Sequence, residues 1–331
     1  MKKAWIFFLL IVILFFSILI DLKTGSIDSS VLDIFNSIFD KDSNPQLFLI
    51  VKELRFPRII TAILVGTSLP VSGLLLQTLF RNPLAGPYIF GISSGASFGV
   101  ALMILGLSFL GFSSAGNFSI AVAGIIGASL VLLIILLISL KIRDSLTILI
   151  IGVFLGSGIS AVVSLMQYFA SAPLLKKFII WSMGSLDAVH SNQLGFFTVV
   201  IVSVFIFSVL LSKFFDSLYL GDENAQTMGI NVKLLRISIF VITGIMTGIV
   251  TAYCGPIGFI GIAIPHLSRI ILKSSKHIEL IIFSAILGAI VMLLSDALSH
   301  SFSQQFIPIN TITAIVGIPI IIWVVFKNKT F

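Results

Sequence analysis

The sequence is poor in charge: only 10% of its 331 residues are Asp, Glu, Lys or Arg, against 58% hydrophobic. That balance excludes a soluble domain of this length, where about 25% charged residues are usual. One cysteine, Cys254, is present. An internal disulfide framework and a cysteine metal cluster are therefore excluded, and Cys254 reads as a small apolar packing residue. No G-x-x-x-x-G-K-[ST] run occurs, so the chain has no phosphate-cradling loop of its own. His190, His266, His277 and His300 are far apart, without H-E-x-x-H or H-x-x-E-H spacing. They predict no metal site, and His266 reads as a satisfied polar residue at a helix end. No group of nucleophiles, acids or bases converges inside the apolar runs, so no catalytic residue and no cofactor is expected. The net charge of +7 would point a soluble protein toward nucleic acid. Here the basic flanks of membrane spans account for it, and no nucleic-acid partner is expected.

What the chain has is long apolar runs. A hydrocarbon layer of about 30 Å takes a helix of roughly 20 residues. Reading between charged or Pro/Gly punctuation gives ten spans, near 4–20, 59–80, 88–110, 117–140, 146–169, 193–212, 237–254, 256–272, 278–298 and 309–326. The eighth is short and carries Pro265, so a broken or re-entrant segment is expected there. The N-terminal run follows Lys2 and Lys3 without a small-x-small cleavage site; it is expected to stay as an uncleaved first span. Residues 173–183, with Lys176 and Lys177 beside Phe178 and Trp181, read as an amphipathic surface helix. The expected fold class is an all-α polytopic membrane protein, one permease-sized domain over 1–331.

Basic residues orient the spans. With the N-terminus inside, thirteen of the twenty Lys and Arg fall on the inner side, among them Lys2, Lys3, Arg81, Lys141, Arg143 and Arg236. The bias predicts both termini in the cytoplasm, which requires an even number of spans. Asp21, Asp28, Asp33, Asp40 and Asp42 fall in the first outer loop. Gly91, Gly95 and Gly99, and Gly152 with Gly156, have the small-xxx-small spacing that lets helix backbones approach closely in lipid.

The polar interval Asp216–Arg236 interrupts the later runs. Asp222 at a membrane centre would cost about 2.5–3.5 kcal/mol, so this interval lies outside the bilayer, on the cytoplasmic side by the charges around it. Acidic residues open Gly221–Gly229, as suits a helix N-terminus, and Gly229 is a natural stop. The pattern predicts two short helices joined by a glycine turn, lying flat on the inner surface.

Several separate motifs then point one way. Arg55-Phe56-Pro57-Arg58 precedes Ala62, Val65-Gly66, Ser72-Gly73 and Gln77. Arg81-Asn82-Pro83-Leu84-Ala85-Gly86-Pro87 and Gly91-Ile92-Ser93-Ser94-Gly95-Ala96 follow. Later come Gly255-Pro256-Ile257-Gly258-Phe259-Ile260-Gly261, Ile264-Pro265-His266-Leu267-Ser268-Arg269, Ser295-Asp296, Pro308-Ile309, Gly317-Ile318-Pro319 and Trp323. In this order, over nearly the whole chain, they resemble the FecCD-type permeases of ABC importers for iron-siderophore complexes, haem and cobalamin. Glu223, Ala225 and Gly229 resemble the E-A-A-x-x-x-G loop that enters a cleft of the ATP-binding subunit.

The resemblance implies a type II importer permease, multi-pass in the bacterial inner (plasma) membrane. Its partners would be a second permease copy (a homodimer), two ATP-binding cassette subunits below and an extracytoplasmic substrate-binding protein above. It implies ATPase coupling through Gly221, Asp222, Glu223, Ala225, Met228 and Gly229. Docking of the binding protein is assigned to Arg55 and Arg58, with His300 at a third position that is basic in some members. A cytoplasmic gate is assigned to Ser145, Leu146 and Thr147, at the inner end of the fifth span. By residue type alone, the segment reads equally as a helix cap, with Ser145 capping after Asp144. The expected cargo is a ferric siderophore, with haem or cobalamin as alternatives. An ion-gradient transporter is the reading from another class; it would need ionisable residues deep in spans, and only Asp296 approaches that.

Overall fold

The computed structural model describes residues 2–25, 30–39, 44–106, 116–142, 144–219, 221–301 and 307–327. Among the described residues, seven helices are long and apolar enough to cross a membrane. They are α1 (Lys2–Lys23), α4 (Phe56–Phe80), α6 (Asn117–Lys141), α7 (Ser145–Tyr168), α9 (Ser191–Leu210), α12 (Val232–Cys254) and α14 (His277–His300). Three shorter apolar helices complete the ten: α5 (Ile92–Ala101), α13 (Ile260–Leu272) and α15 (Ile309–Lys327). The remaining elements are α2 (Val31–Phe39), α3 (Pro45–Ile50), α8 (Ala172–Ser182), α10 (Ser212–Leu218) and α11 (Asp222–Thr227). The end of the third predicted span, 107–110, lies outside the described residues.

Two boundaries differ from the sequence reading. The second span is one continuous helical segment from Pro45 to Phe80, through a π turn at Val51–Arg55. Arg55 and Arg58 therefore sit inside a helix rather than ahead of one. α1 continues to Lys23, so Asp21 lies in its last turn, wholly buried, not in a loop. Hydropathy places a span end at the first charge, whereas here the charge has partners and the helix continues.

α4 is the central rod. It is buried along most of its length and packs chiefly on α14, α12 and α13. Glycine makes these crossings close. A Cβ at Gly73 would stand 1.6 Å from the Gly261 carbonyl oxygen of α13, and one at Gly288 of α14 would stand 2.0 Å from the Gly66 oxygen. Gly99 and Gly127 likewise bring α5 onto α6. In lipid, such backbone approach replaces the hydrophobic force that packs helices in water.

α13 has 13 residues, about 20 Å at 1.5 Å per residue, and is too short to cross. A non-helical stretch precedes it, with Gly255 at φ 72° and Phe259 at φ 67°. This backbone is tolerated because protein covers it and supplies partners. The Gly258 N–H donates to Asn310 Oδ1 (3.0 Å), and the Ser185 N–H donates to the Cys254 carbonyl (2.9 Å). His266 lies mid-helix in α13, just after Pro265, and not at a helix end.

The helices alternate in direction. Lys3 meets Glu279 at 2.6 Å, so the start of α1 and the start of α14 share one end with the last turn of α4 and with α10 and α11. This is the elbow end. Thr24, Arg55, α8 and His300 mark the far end. α8 lies over α5 with Phe178 buried and Lys176 exposed.

Candidate functional site

The elbow is built around one buried alanine and one shared carboxylate. Gly221, at φ 100°, turns the chain from α10 into the six residues of α11. Ala225 has no exposed surface and joins the cluster that holds Phe215, Leu218, Val232 and Leu235. Asp222 lies 3.2 Å from Arg81 Nη2, where α4 ends, and its other oxygen is bound by Arg236 of α12. Glu223, Asn224, Gln226, Thr227, Met228 and Gly229 are exposed, Met228 to 61%. The segment thus presents one open face on a fixed base.

The predicted pair of short helices needs a correction. Gly229, at φ 78°, does turn the chain, but it leads into the full-length α12. Asn231 caps that helix by accepting the Leu234 N–H at 3.1 Å, and nothing breaks it before Cys254. The second short helix is α10, on the other side of α11.

His277 holds α10 in place. It is fully buried at the first turn of α14, with Nδ1 2.7 Å from Asp216 Oδ1 and Nε2 2.9 Å from Thr78 Oγ1 of α4. The His277 backbone N–H also donates to Asp216, and Tyr219 stacks on the ring at 5.0 Å. Burial pushes the Asp216 carboxyl up, but the hydrogen bonds from His277 outweigh it and hold it below the usual carboxylate range. Arg81, Arg236, Asp216, Thr78 and His277 are absent from the sequence-predicted site. Their partners are 14 to 199 residues away, and no local pattern announces such pairs. The signal available was weak: Asp216, Arg236 and His277 each stand at an edge of an apolar run.

At the start of α7 the cap is Asp144, not Ser145. Its carboxylate accepts the Thr147 N–H at 2.8 Å and also the Thr147 hydroxyl. The Ser145 side chain lies outside the described residues. Thr147 is committed to the cap, and Leu146 points outward, 57% exposed. Along α7, Phe154, Ser157 and Gly158 are also exposed.

The far end gathers charges that the sequence keeps apart. Arg58 is 5% exposed; its Nε is 2.8 Å from Asp296 Oδ2, and its Nη2 is 3.6 Å from Asp21 Oδ1. Nη2 also donates to the Thr24 carbonyl at 2.8 Å. Arg55 is 2% exposed and donates to the Leu22 carbonyl at 2.9 Å. His300 Nε2 is 3.2 Å from Asp187, and its Nδ1 is 3.5 Å from Asp296. Burial raises the Asp187 carboxyl, while the His300 hydrogen bond and charge bring it below its ordinary value. The two arginines and His300 sit at one end, with Arg55 and Arg58 buried. Asp21, read as a loop residue, is a buried partner of Arg58. Among the described residues, no three His, Cys, Asp or Glu side chains converge as metal ligands.

Comparison with known proteins gives this architecture relatives. The FecCD transport family model matches residues 10–327. The molybdate import system permease MolB of Haemophilus influenzae is 34% identical over 98% of this chain and 96% of its own length. The hemin transport permease HmuU of Yersinia pestis is 31% identical over 94% of each chain. The vitamin B12 import permease BtuC of Salmonella typhi is 32% identical over 85% of this chain and 84% of its own. A solved structure described as an inward-facing metal-chelate type ABC transporter superposes with a TM-score of 0.87 and 32% identity, covering 98% of this chain and 99% of that one. A motif order that runs from Arg55 to Trp323, ten apolar helices and a match over residues 10–327 lead to one conclusion: the protein belongs to the FecCD transport family.

Proposed function

We propose that this chain is the membrane permease of an ATP-driven importer, a single membrane domain worked by separate ATP-binding subunits. The observation that carries this reading is the elbow: an exposed Glu223–Gly229 surface fixed to the central rod α4 through Asp222–Arg81 and Asp216–His277–Thr78. A force on that surface acts on the whole bundle, because α4 runs buried from Thr78 to Arg58. Family members work with ATP-binding subunits and a substrate-binding protein. Here the ATP-binding subunits grip the elbow from the cytoplasm, and both termini lie on that side. The binding protein docks at the far end, around Arg55, Arg58 and His300. Two copies of the chain enclose the pathway, with α7 along it and Leu146, beside Ser145 and Thr147, at its inner gate. ATP-driven closure pulls on 221–229, tilts α7 and turns the pathway from outward-open to inward-open in the bacterial inner membrane.

The cargo is a metal-bearing solute, and a ferric siderophore is the leading candidate. Haem and cobalamin have named relatives here, HmuU and BtuC. Molybdate is a second reading, favoured by the 98% coverage of the match to MolB. Binding of each compound by the cognate binding protein decides among them.

The test is uptake into vesicles holding the permease, its ATP-binding subunit and its binding protein. Glu223→Ala removes an exposed charge of the grip. Gly229→Val forces a β-branched residue into a left-handed conformation, at about 1–2 kcal/mol. Each is expected to cut uptake by about tenfold, the factor that 1.4 kcal/mol represents, with the protein still in the membrane. Full uptake in both variants, or uptake driven by a proton or sodium gradient without ATP, would count against the reading.

A further inference from the structure

Between α1, α4, α9 and α14 lies a groove of about 580 Å³. It runs along Ile201 to Leu210 of α9 and Ile282 to Ala289 of α14, with Leu14 and Thr67 on the other two helices. Of its lining residues only Thr67 is polar, so a charged group inside it would go unpaired. Its lip is open to the outside of the bundle, Val202 to 40% and Leu210 to 69%. The groove has the depth of one leaflet. Ile201 to Leu210 spans about 14 Å at 1.5 Å per residue, close to half of a hydrocarbon core of about 30 Å. It starts at the elbow end, where each rim helix meets a lysine. Lys3 opens α1, Lys213 follows Leu210 by less than a turn, and Lys276 precedes α14. Lys213 and Lys276 are exposed. The acids beside them are engaged: Asp216 by His277 and Glu279 by Lys3.

We propose that this groove binds an anionic phospholipid of the elbow-side leaflet, with one acyl chain along α9 and the phosphate at Lys213. The ligand follows from the lining, which is apolar for the depth of one leaflet and then cationic. A zwitterionic lipid brings the same chain without a net charge for the lysine, and free phosphate brings charge without a chain. Lysines at the membrane surface attract anionic lipids, and basic pockets between transmembrane helices hold their headgroups. The rim helices α1 and α9 pack chiefly on α14, α4 and α12, whereas α7 packs chiefly on α5. The site therefore lies among helices other than those around the proposed pathway, and it stands independently of the importer reading. A chain in the groove braces the inner half of α9, which leads through Leu211 into α10 and the elbow.

The test is native mass spectrometry of the full chain released from nanodiscs of mixed phosphatidylglycerol and phosphatidylcholine with matched acyl chains. The parent is expected to retain phosphatidylglycerol in preference to phosphatidylcholine. Lys213→Gln is expected to cut that preference about fivefold, the factor that one lysine near an anionic surface is worth. Lys141→Gln is the control. Lys141 is exposed at the end of α6, which packs chiefly on α5 and α12, so its loss should leave the preference unchanged. Val202→Trp puts bulk on the open lip while keeping the lysine, and is expected to lower retention of both lipids. A parent without preference, a Lys213→Gln protein with the parent's preference, or an equal loss in Lys141→Gln overturns the site. Unchanged retention in Val202→Trp overturns it too, and is the result if a second copy of the chain covers the groove in place of lipid. Each of these outcomes leaves the importer reading standing.

Discussion

Gly73→Ala is expected to stop the bundle from closing. The added methyl would stand 1.6 Å from the Gly261 carbonyl oxygen. That neighbour is backbone in another helix, so no rotamer change relieves the clash. α13 must move off α4, and the move strains the Gln77–Arg269 hydrogen bond (2.7 Å) and the Gln77–Ile262 contact (3.1 Å) between the same helices. Overpacking of a tight core costs about 1–3 kcal/mol and occasionally more; a backbone clash this close belongs at the upper end or beyond. The expected outcome is little protein in the membrane and a melting temperature lowered by many degrees in detergent. Gly158→Ala is the control. No atom lies within 4 Å of that added carbon, and alanine in a helix is worth up to about 1 kcal/mol over glycine. It should be neutral or slightly stabilising. Equal melting of the two variants would contradict the packing account.

Arg58→Ala is expected to cost about 3–5 kcal/mol, the usual penalty for removing one member of a buried ion pair. Asp21 and Asp296 would be left at 0% and 1% exposure with no cation between them. The penalty lies in stranding the carboxylates more than in losing an attraction. Hence Arg58→Met combined with Asp21→Asn and Asp296→Asn should recover most of the stability that Arg58→Ala loses. Thermal unfolding in nanodiscs reads both. Uptake adds a second layer. If the binding protein docks on the rim that these residues build, the triple variant should be stable and still impaired in uptake. If Arg58→Ala melts like the parent, the buried cluster is not what holds α1 and α14 to α4.

The sequence carries the fold well, because membrane burial is a local constraint. A run of some twenty apolar residues is readable wherever it occurs, and each of the ten runs holds a helix among the described residues. The elbow was also visible, since charge between greasy segments has to lie outside the bilayer. What escaped was long-range. Asp21 looked like a loop acid because its partner Arg58 comes 37 residues later. The start of the second span was misplaced because hydropathy falls at Arg55, while the helix continues back to Pro45. The spacing of Gly95 and Gly99 announced close packing without saying that α6 was the partner. The Asp216–His277–Thr78 chain and the sharing of Asp222 between Arg81 and Arg236 exist only once five helices have come together.

The central claim is that a nucleotide-hydrolysing partner grips the exposed elbow from the cytoplasm, and side-specific labelling of Met228→Cys tests it most directly. Met228 is 61% exposed and Cys254 is buried, so a membrane-impermeant maleimide reads one position. The account predicts labelling in inside-out vesicles, protection when the ATP-binding subunit is bound, and none in right-side-out vesicles. Labelling from the outside, or equal labelling with the ATP-binding subunit in place, would contradict it.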